Sequence, residues 1–175
     1  MGIWEMKLLI ASMLIIAGFS GCSLNNPNGS FSKSSIQTVD MGKFNRLRTI
    51  EIATLTYPAT ADKTHTNQEF TDQDKENFGD SLLQSLKRSD VRVLPSAQTR
   101  IHIDFTKLVI IEDVTGTIIT MTADLAVSRN GIVSRKTIDI NSKSKLTIGA
   151  TKDHGIKLFM LELGDLLREQ SSFKR

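Results

Sequence analysis

The sequence predicts an α+β domain in which a single antiparallel sheet of about four to five strands carries two amphipathic helices on one face. Two segments, near residues 71–89 and 151–170, repeat apolar residues at helical spacing. Between them lie stretches in which apolar and polar residues alternate, as in strands. Two of these stretches flank Asn130-Gly131, a pair typical of two-residue β-hairpin turns.

The first strand is expected in "RTIEIATLTYP", where the alternation slips by one residue. A β-bulge near Ala53 and Thr54 would produce that slip, and Pro58 would end the strand. The first helix follows, with Thr71 as its N-cap and acidic residues in its first turn, where they complement the helix dipole. A short strand is expected just before Pro95.

A hairpin is the most clearly predicted element of the sheet. A long strand through residues 100–113 is expected to precede it, and "TIITMTADLAVS" supplies its first arm. A type I′ turn at Asn130-Gly131 fixes the register of the second arm. Counting outward places Ile138 and Ile140 on the apolar face, with Lys136 as the one misfit. The closing helix is expected to begin at Thr151 or Asp153.

The N-terminal segment predicts export from the cytoplasm. About 14 residues up to Gly21 are mostly apolar, too few for a membrane-spanning helix but typical of a secretory signal. Lys7 gives the positive charge expected before such a segment, and Met6 is the expected start of translation because Glu5 does not suit a signal.

Phe19-Ser20-Gly21-Cys22 resembles the lipobox of bacterial lipoproteins. The resemblance implies cleavage between Gly21 and Cys22, and lipid attachment to Cys22, the only cysteine of the chain. Two or more acyl chains would anchor the protein stably to a bilayer. In Gram-negative lipoproteins, a serine such as Ser23 after the cysteine implies the outer membrane and its periplasmic face.

Three segments are therefore expected. Residues 1–21 are the lipoprotein signal peptide, and residues 22–43 are the lipidated cysteine with a flexible tether rich in Ser, Asn and Gly. Residues 44–175 are a single α+β domain, long enough to bury a core.

The sequence offers no chemistry typical of an enzyme. No nucleophile elbow follows the signal region, and no phosphate-binding glycine loop is present. The three histidines, at positions 65, 102 and 154, are expected at the surface, and no catalytic residue, metal or cofactor is predicted. The net charge is only +3, and its cations are spread along the chain, so nucleic acid is not expected as a partner.

From "TRIHIDFTKLVIIEDVTGTI" to the closing helix, the chain resembles the YajG family of enterobacterial lipoproteins, and the wider transport-auxiliary lipoproteins nearly as well. The leading hypothesis is a non-enzymatic lipoprotein that offers a sheet edge or a helix groove to an envelope protein partner. No small-molecule substrate is inferred. The alternative is an inhibitor or immunity-type lipoprotein that blocks a periplasmic hydrolase with the loop "TADKTHTNQEFTDQD".

Overall fold

The computed structural model describes residues 33–58, 67–68, 70–113, 115–144 and 147–172. Within these ranges six strands and two helices follow one another along the chain. They are β1 (Thr49–Thr56), β2 (Asn67–Gln68), α1 (Asp72–Arg88), β3 (Arg92–Val93), β4 (Thr99–Asp113), β5 (Gly116–Arg129), β6 (Ile132–Ser144) and α2 (Ile148–Ser172).

The fold is α+β, with one open sheet and two helices, as predicted. The strand order is β3-β1-β4-β5-β6, and β2 pairs with β4. The expectation that all strands would be antiparallel is corrected, because β1 runs parallel to both β3 and β4. The cause is α1, since a helix between strands carries the chain back to the end of the sheet where β1 began.

The core lies between one face of the sheet and the two helices. Phe105 of β4 contacts Phe78 of α1 and Phe159 of α2, with ring centroids 5.0 and 5.2 Å apart. Gly155 brings α2 close to β5, since a Cβ there would lie 3.1 Å from the Met121 sulfur. The alternate residues of β5 that face the helices are buried, whereas their neighbours on the other face are partly or fully exposed.

The predicted hairpin is observed in the predicted register. Asn130 and Gly131 have φ of 51° and 82°, as a type I′ turn requires. Both Ile138 and Ile140 are buried, and Lys136 reaches Glu162 of α2 at 3.1 Å. The bulge in β1 is also confirmed, by a register shift between Ile52 and Thr54.

One predicted helix cap is confirmed and the other is wrong. Thr71 caps α1, because its hydroxyl accepts from the Asp74 N–H at 3.2 Å while the Asp74 carboxylate accepts from the Thr71 N–H. The second helix begins earlier than expected, after Thr147, whose hydroxyl accepts from the Ala150 N–H at 3.3 Å. Neither Thr151 nor Asp153 is a cap, since both lie inside α2.

The domain also begins earlier than predicted. Residues 33–43 were expected to belong to the flexible tether, but they pack against the helices and bury Val39 and Met41. The sequence did not indicate this because these residues lack an apolar period and obtain their contacts from side chains about 40 residues later. Residues 1–21, predicted to be a signal peptide, and Cys22 lie outside the described residues.

Candidate interaction surfaces

Residues 33–47 form an extended segment, here called the strap, that contacts both helices. A row of serines along α1 and at its C-cap accepts hydrogen bonds from the backbone N–H groups of the strap at 2.8 to 3.3 Å. The pairs are Gln37 with Ser81, Val39 with Ser85, and Met41 with Ser89. Two residues of extended chain span roughly 6.6 Å and four residues of helix span about 6 Å, so the two periods match over this length.

A buried ion pair joins the strap to both helices. The Lys152 Nζ of α2 lies 2.5 Å from the Asp74 Oδ2 of α1, and both side chains are at most 1% exposed. Burial by itself raises the pKa of the Asp74 carboxyl. Hydrogen bonds from Lys152, from the Ser34 N–H and from Thr71 outweigh burial and lower that pKa to about 2.

The strap passes close to the backbone of α2 at Gly164. A Cβ at this position would lie 2.9 Å from the Met41 Cβ and 3.2 Å from the Met41 carbonyl oxygen. One turn later, the Arg168 guanidinium donates to the same carbonyl. Gly42 then turns the strap, with φ at 80°, where a side chain would be strained. The helix groove, one of the two surfaces considered for a partner, is therefore occupied by the chain itself.

The free edge of the sheet is β6, the second surface considered for a partner. Within the described ranges β6 pairs only with β5, over 13 residues without a bulge, whereas the opposite edge strand β3 has two residues. Arg129 and Ile132, next to the two-residue turn, form a hydrogen-bonded pair, so the even-numbered residues of β6 bond to β5. The backbone groups of odd-numbered residues from Val133 to Asn141 consequently point outward.

This edge is suited to accept another strand. It contains no proline or glycine, and such an exposed edge is a template for pairing with another chain. Charges such as Arg135 and Asp139 limit unspecific pairing.

The open face of the sheet is polar. Threonines bond to aspartates across neighbouring strands, with Thr122 to Asp139 at 2.9 Å and Thr137 to Asp124 at 2.6 Å. A cleft of about 460 Å³ lies beside them, lined by His102, Asp104, Asp124 and Arg135 among others. Among the described residues, no group of three or more His, Cys, Asp or Glu side chains is arranged to hold a metal ion.

The predicted site residues divide into two groups. Gly21 and Cys22 lie outside the described residues, as do His65 and most of the loop assigned to the inhibitor alternative. Asn130 and Gly131 are exposed at the hairpin tip. In the described parts of the chain, neither helix combines the length and the hydropathy that a membrane span requires.

The structure also reveals a cluster that sequence spacing did not indicate. Six of the nine arginines, distant in the sequence, meet at one end of the domain. They are Arg46, Arg48, Arg88, Arg92, Arg100 and Arg129, here called the arginine end. The Arg92 N–H donates to the Arg48 carbonyl at 2.9 Å, and the Arg129 guanidinium donates to the Arg46 carbonyl at 3.0 Å.

No family model matches this sequence, and no curated protein matches it. Among solved structures, the fold is similar to a DUF330 protein of Xanthomonas campestris, with 12% identity and a TM-score of 0.50 over 82% of this chain and 99% of that one. A Chlamydia trachomatis protein, CT253, has 10% identity and a TM-score of 0.47, over 75% of this chain and 98% of that one. The Neisseria meningitidis lipoprotein GNA1162 has 10% identity and a TM-score of 0.39, over 71% of this chain and 99% of that one.

The likeness to the Xanthomonas protein supports the α+β fold and nothing finer, because the identity is only 12%. The description of GNA1162 as a lipoprotein applies to that protein. None of these three structures is described as a YajG protein, so that resemblance remains a prediction.

Proposed function

We propose that the chain is a lipid-anchored, non-enzymatic accessory protein of the bacterial cell envelope. In this proposal Cys22 carries the lipid and holds the domain at the periplasmic face of the outer membrane. The domain acts through contacts with a protein partner in an envelope assembly or transport complex. The lipobox-like Phe19–Cys22 stretch supports the anchor, and Ser23 supports the choice of the outer membrane.

The free edge of β6 is the observation that carries this proposal. The helix groove is filled by the strap, whereas the outward backbone groups of β6 lie along an exposed strand. An extended segment of a partner would satisfy those groups by adding a strand to the sheet. The 11 links of the chain between Cys22 and Lys33 span at most about 40 Å, so the anchor would keep the domain near its bilayer.

The anchor is tested by replacing Cys22 with alanine. We expect the wild-type protein to incorporate labelled palmitate and to sediment with membrane vesicles. The Cys22→Ala variant should lose the label and move to the soluble fraction, because Cys22 is the residue that would carry the acyl chains. Equal sedimentation of the two proteins, or a wild-type chain without label, would contradict the anchor.

The edge is tested by removing one outward N–H group. Asn141 is exposed and occupies one of the odd-numbered positions of β6 whose backbone groups point outward. Asn141→Pro removes the N–H that would pair with a partner strand, and Asn141→Ala is the matched control that keeps it. We expect pull-down from crosslinked envelopes to recover the same protein with wild type and Asn141→Ala, and at least tenfold less with Asn141→Pro.

Circular dichroism and thermal unfolding would verify that the proline variant is folded. Equal recovery with Asn141→Pro and Asn141→Ala would exclude the edge as the binding surface. Failure to recover any defined envelope protein with the wild type would exclude the accessory function itself.

A further inference from the structure

We propose that the arginine end docks on a carboxylate-rich surface of a protein partner. The inference rests on the proposed function in taking the partner to be a protein, and it adds the chemistry by which that partner is recognised. The surface is distinct from the outward backbone groups of β6, but it adjoins them, because β6 begins at Ile132 beside Arg129.

The fold concentrates positive charge at this end. Residues 40–51 and 87–92, together with Arg100 and Arg129, carry eight cations, because Lys43 and Lys87 add to the six arginines. The same residues include only three acids, Asp40, Glu51 and Asp90. Glu51 is paired with Arg100 at 2.9 Å. Within the described residues, the remaining arginines of this end make no ion pair. Lys87 and Arg88 complement the C-terminal end of the α1 dipole, and the guanidinium of Arg129 donates to the Arg46 carbonyl. Neither contact neutralises the charge that these cations bring to the arginine end.

Apolar side chains accompany these charges. Ile132 and Val133 are 59% and 54% exposed, the two largest values among the exposed large hydrophobic residues described, and Leu94 is 43% exposed. A shallow cleft of about 400 Å³ runs between the 96–98 turn and the hairpin tip, with Arg100 and Arg129 in its walls. Exposed apolar residues surrounded by arginine are typical of an interface whose centre becomes buried on binding.

The choice of arginine favours a protein over a membrane or a nucleic acid. Arginine is enriched and lysine is depleted in protein interfaces, whereas anionic lipids and nucleic acid phosphates attract both residues. Here six arginines and two lysines form one end, while Lys33, Lys107 and Lys157 lie elsewhere on the surface. The planar guanidinium matches a carboxylate with two parallel hydrogen bonds, which a lysine cannot do.

The experiment places a photo-crosslinking amino acid at Ile132 of the full chain in its native envelope. Two triple variants with the same change in charge are compared: Arg48→Glu/Arg88→Glu/Arg92→Glu at the arginine end, and Lys33→Glu/Lys107→Glu/Lys157→Glu elsewhere. Each substituted side chain is exposed. We expect one protein adduct with the parent chain and the lysine variant, and at least a tenfold loss with the arginine variant.

The adduct supports the proposal only after the protein is identified and rebinding is measured with both purified proteins. The affinity should then fall at least tenfold on arginine reversal and fall steeply with added salt. Replacing the facing carboxylates of the partner by lysine should restore binding to the arginine variant. An adduct that persists in the arginine variant, or affinity that does not depend on salt, would overturn the proposal.

Two further probes examine the competing anions. The detergent-purified full chain is mixed with vesicles of 70% phosphatidylcholine and 30% phosphatidylglycerol, and separately with a DNA duplex. Binding of either probe that depends on the arginines, without a protein adduct at Ile132, would overturn protein docking. Suppose that a protein is pulled down with wild type and Asn141→Ala but not with Asn141→Pro, and that it does not crosslink to Ile132. This result would refute docking at the arginine end and leave the proposed function intact.

Discussion

The strap and β6 are both extended segments, but they differ in the hydrogen-bond partners of their backbone groups. In the strap, alternate N–H groups donate to a row of serines along α1 and at its C-cap. In β6, alternate backbone groups point away from β5 and face no other strand within the described residues. The strap therefore completes the helix groove, whereas no described part of the chain adds a strand to the edge of β6.

The comparison indicates why the strap belongs to the domain. Half of the buried residues of α1 are polar, namely Asp74, Ser81 and Ser85. Buried polar groups destabilise a protein when they lack hydrogen-bond partners. The N–H groups of the strap donate the hydrogen bonds that these three side chains accept. A groove of this composition would be destabilised without the strap, whereas the edge of β6 remains solvated without a partner.

The largest expected effect comes from breaking the buried ion pair at the start of the strap. Asp74→Asn leaves the Lys152 ammonium buried without a carboxylate, at a cost of about 3–5 kcal/mol in the free energy of unfolding. Asp74→Asn/Lys152→Met should cost less than the sum of the two single variants, because no buried charge remains. Urea unfolding measures these values.

The exposed pair Lys75–Asp72 provides the control. Asp72→Asn should cost less than about 1 kcal/mol, since surface pairs contribute little. Equal costs for Asp72→Asn and Asp74→Asn would show that the buried pair does not hold the strap.

Acid should weaken the same contact. The pKa of Asp74 is about 2 in the folded protein, below its ordinary value near 3.9, so its contribution is complete above about pH 4 and lost toward pH 2. We expect the difference in unfolding free energy between wild type and Asp74→Asn to shrink by roughly 2 kcal/mol over that range. Urea titrations at pH 6, 4, 3 and 2 would measure it, and a difference independent of pH would contradict the assignment.

A smaller effect is expected where the strap meets α2. Gly164→Ala places a methyl group 2.9 Å from the Met41 Cβ, so the strap must shift, at a cost of about 1–3 kcal/mol. Gly79→Ala in α1 is the matched control, because its Cβ would have no atom within 4 Å. It should stabilise the protein by roughly 0.5–1 kcal/mol through helix propensity. Hydrogen exchange of the Val39 amide reports the strap directly, and unchanged protection in Gly164→Ala would refute the close contact.

The hairpin and the strap also differ in how far the sequence predicts them. The hairpin follows from local chemistry, since Asn130-Gly131 sets the turn and the alternation of apolar residues independently sets the same register. The strap does not, because its contacts join residues 44 to 48 positions apart and the serines of α1 resemble solvated helix positions. Periodicity detects burial of apolar side chains, not satisfaction of backbone groups.

The arginine end was missed for a related reason. Arg48 and Arg92 are far apart in sequence, and only the parallel pairing of β1 with β3 brings them together. The sequence led us to expect an antiparallel sheet, and that arrangement would not have predicted the contact between Arg48 and Arg92. Charge clusters therefore depend on topology, and spacing along the chain gave the wrong impression of dispersed cations.

The smallest expected effect concerns the outward edge of β6. Asn141→Pro should cost no more than about 1 kcal/mol of unfolding free energy, because its N–H points away from β5 and proline is tolerated on strand edges. Ile140→Pro should cost about 3 kcal/mol or more, because it removes a hydrogen bond to β5 and also the buried Ile140 side chain. Urea unfolding of the two variants distinguishes them. Similar costs at both positions would mean that the odd-numbered residues of β6 are not directed outward, and the proposed docking edge would lose its physical basis.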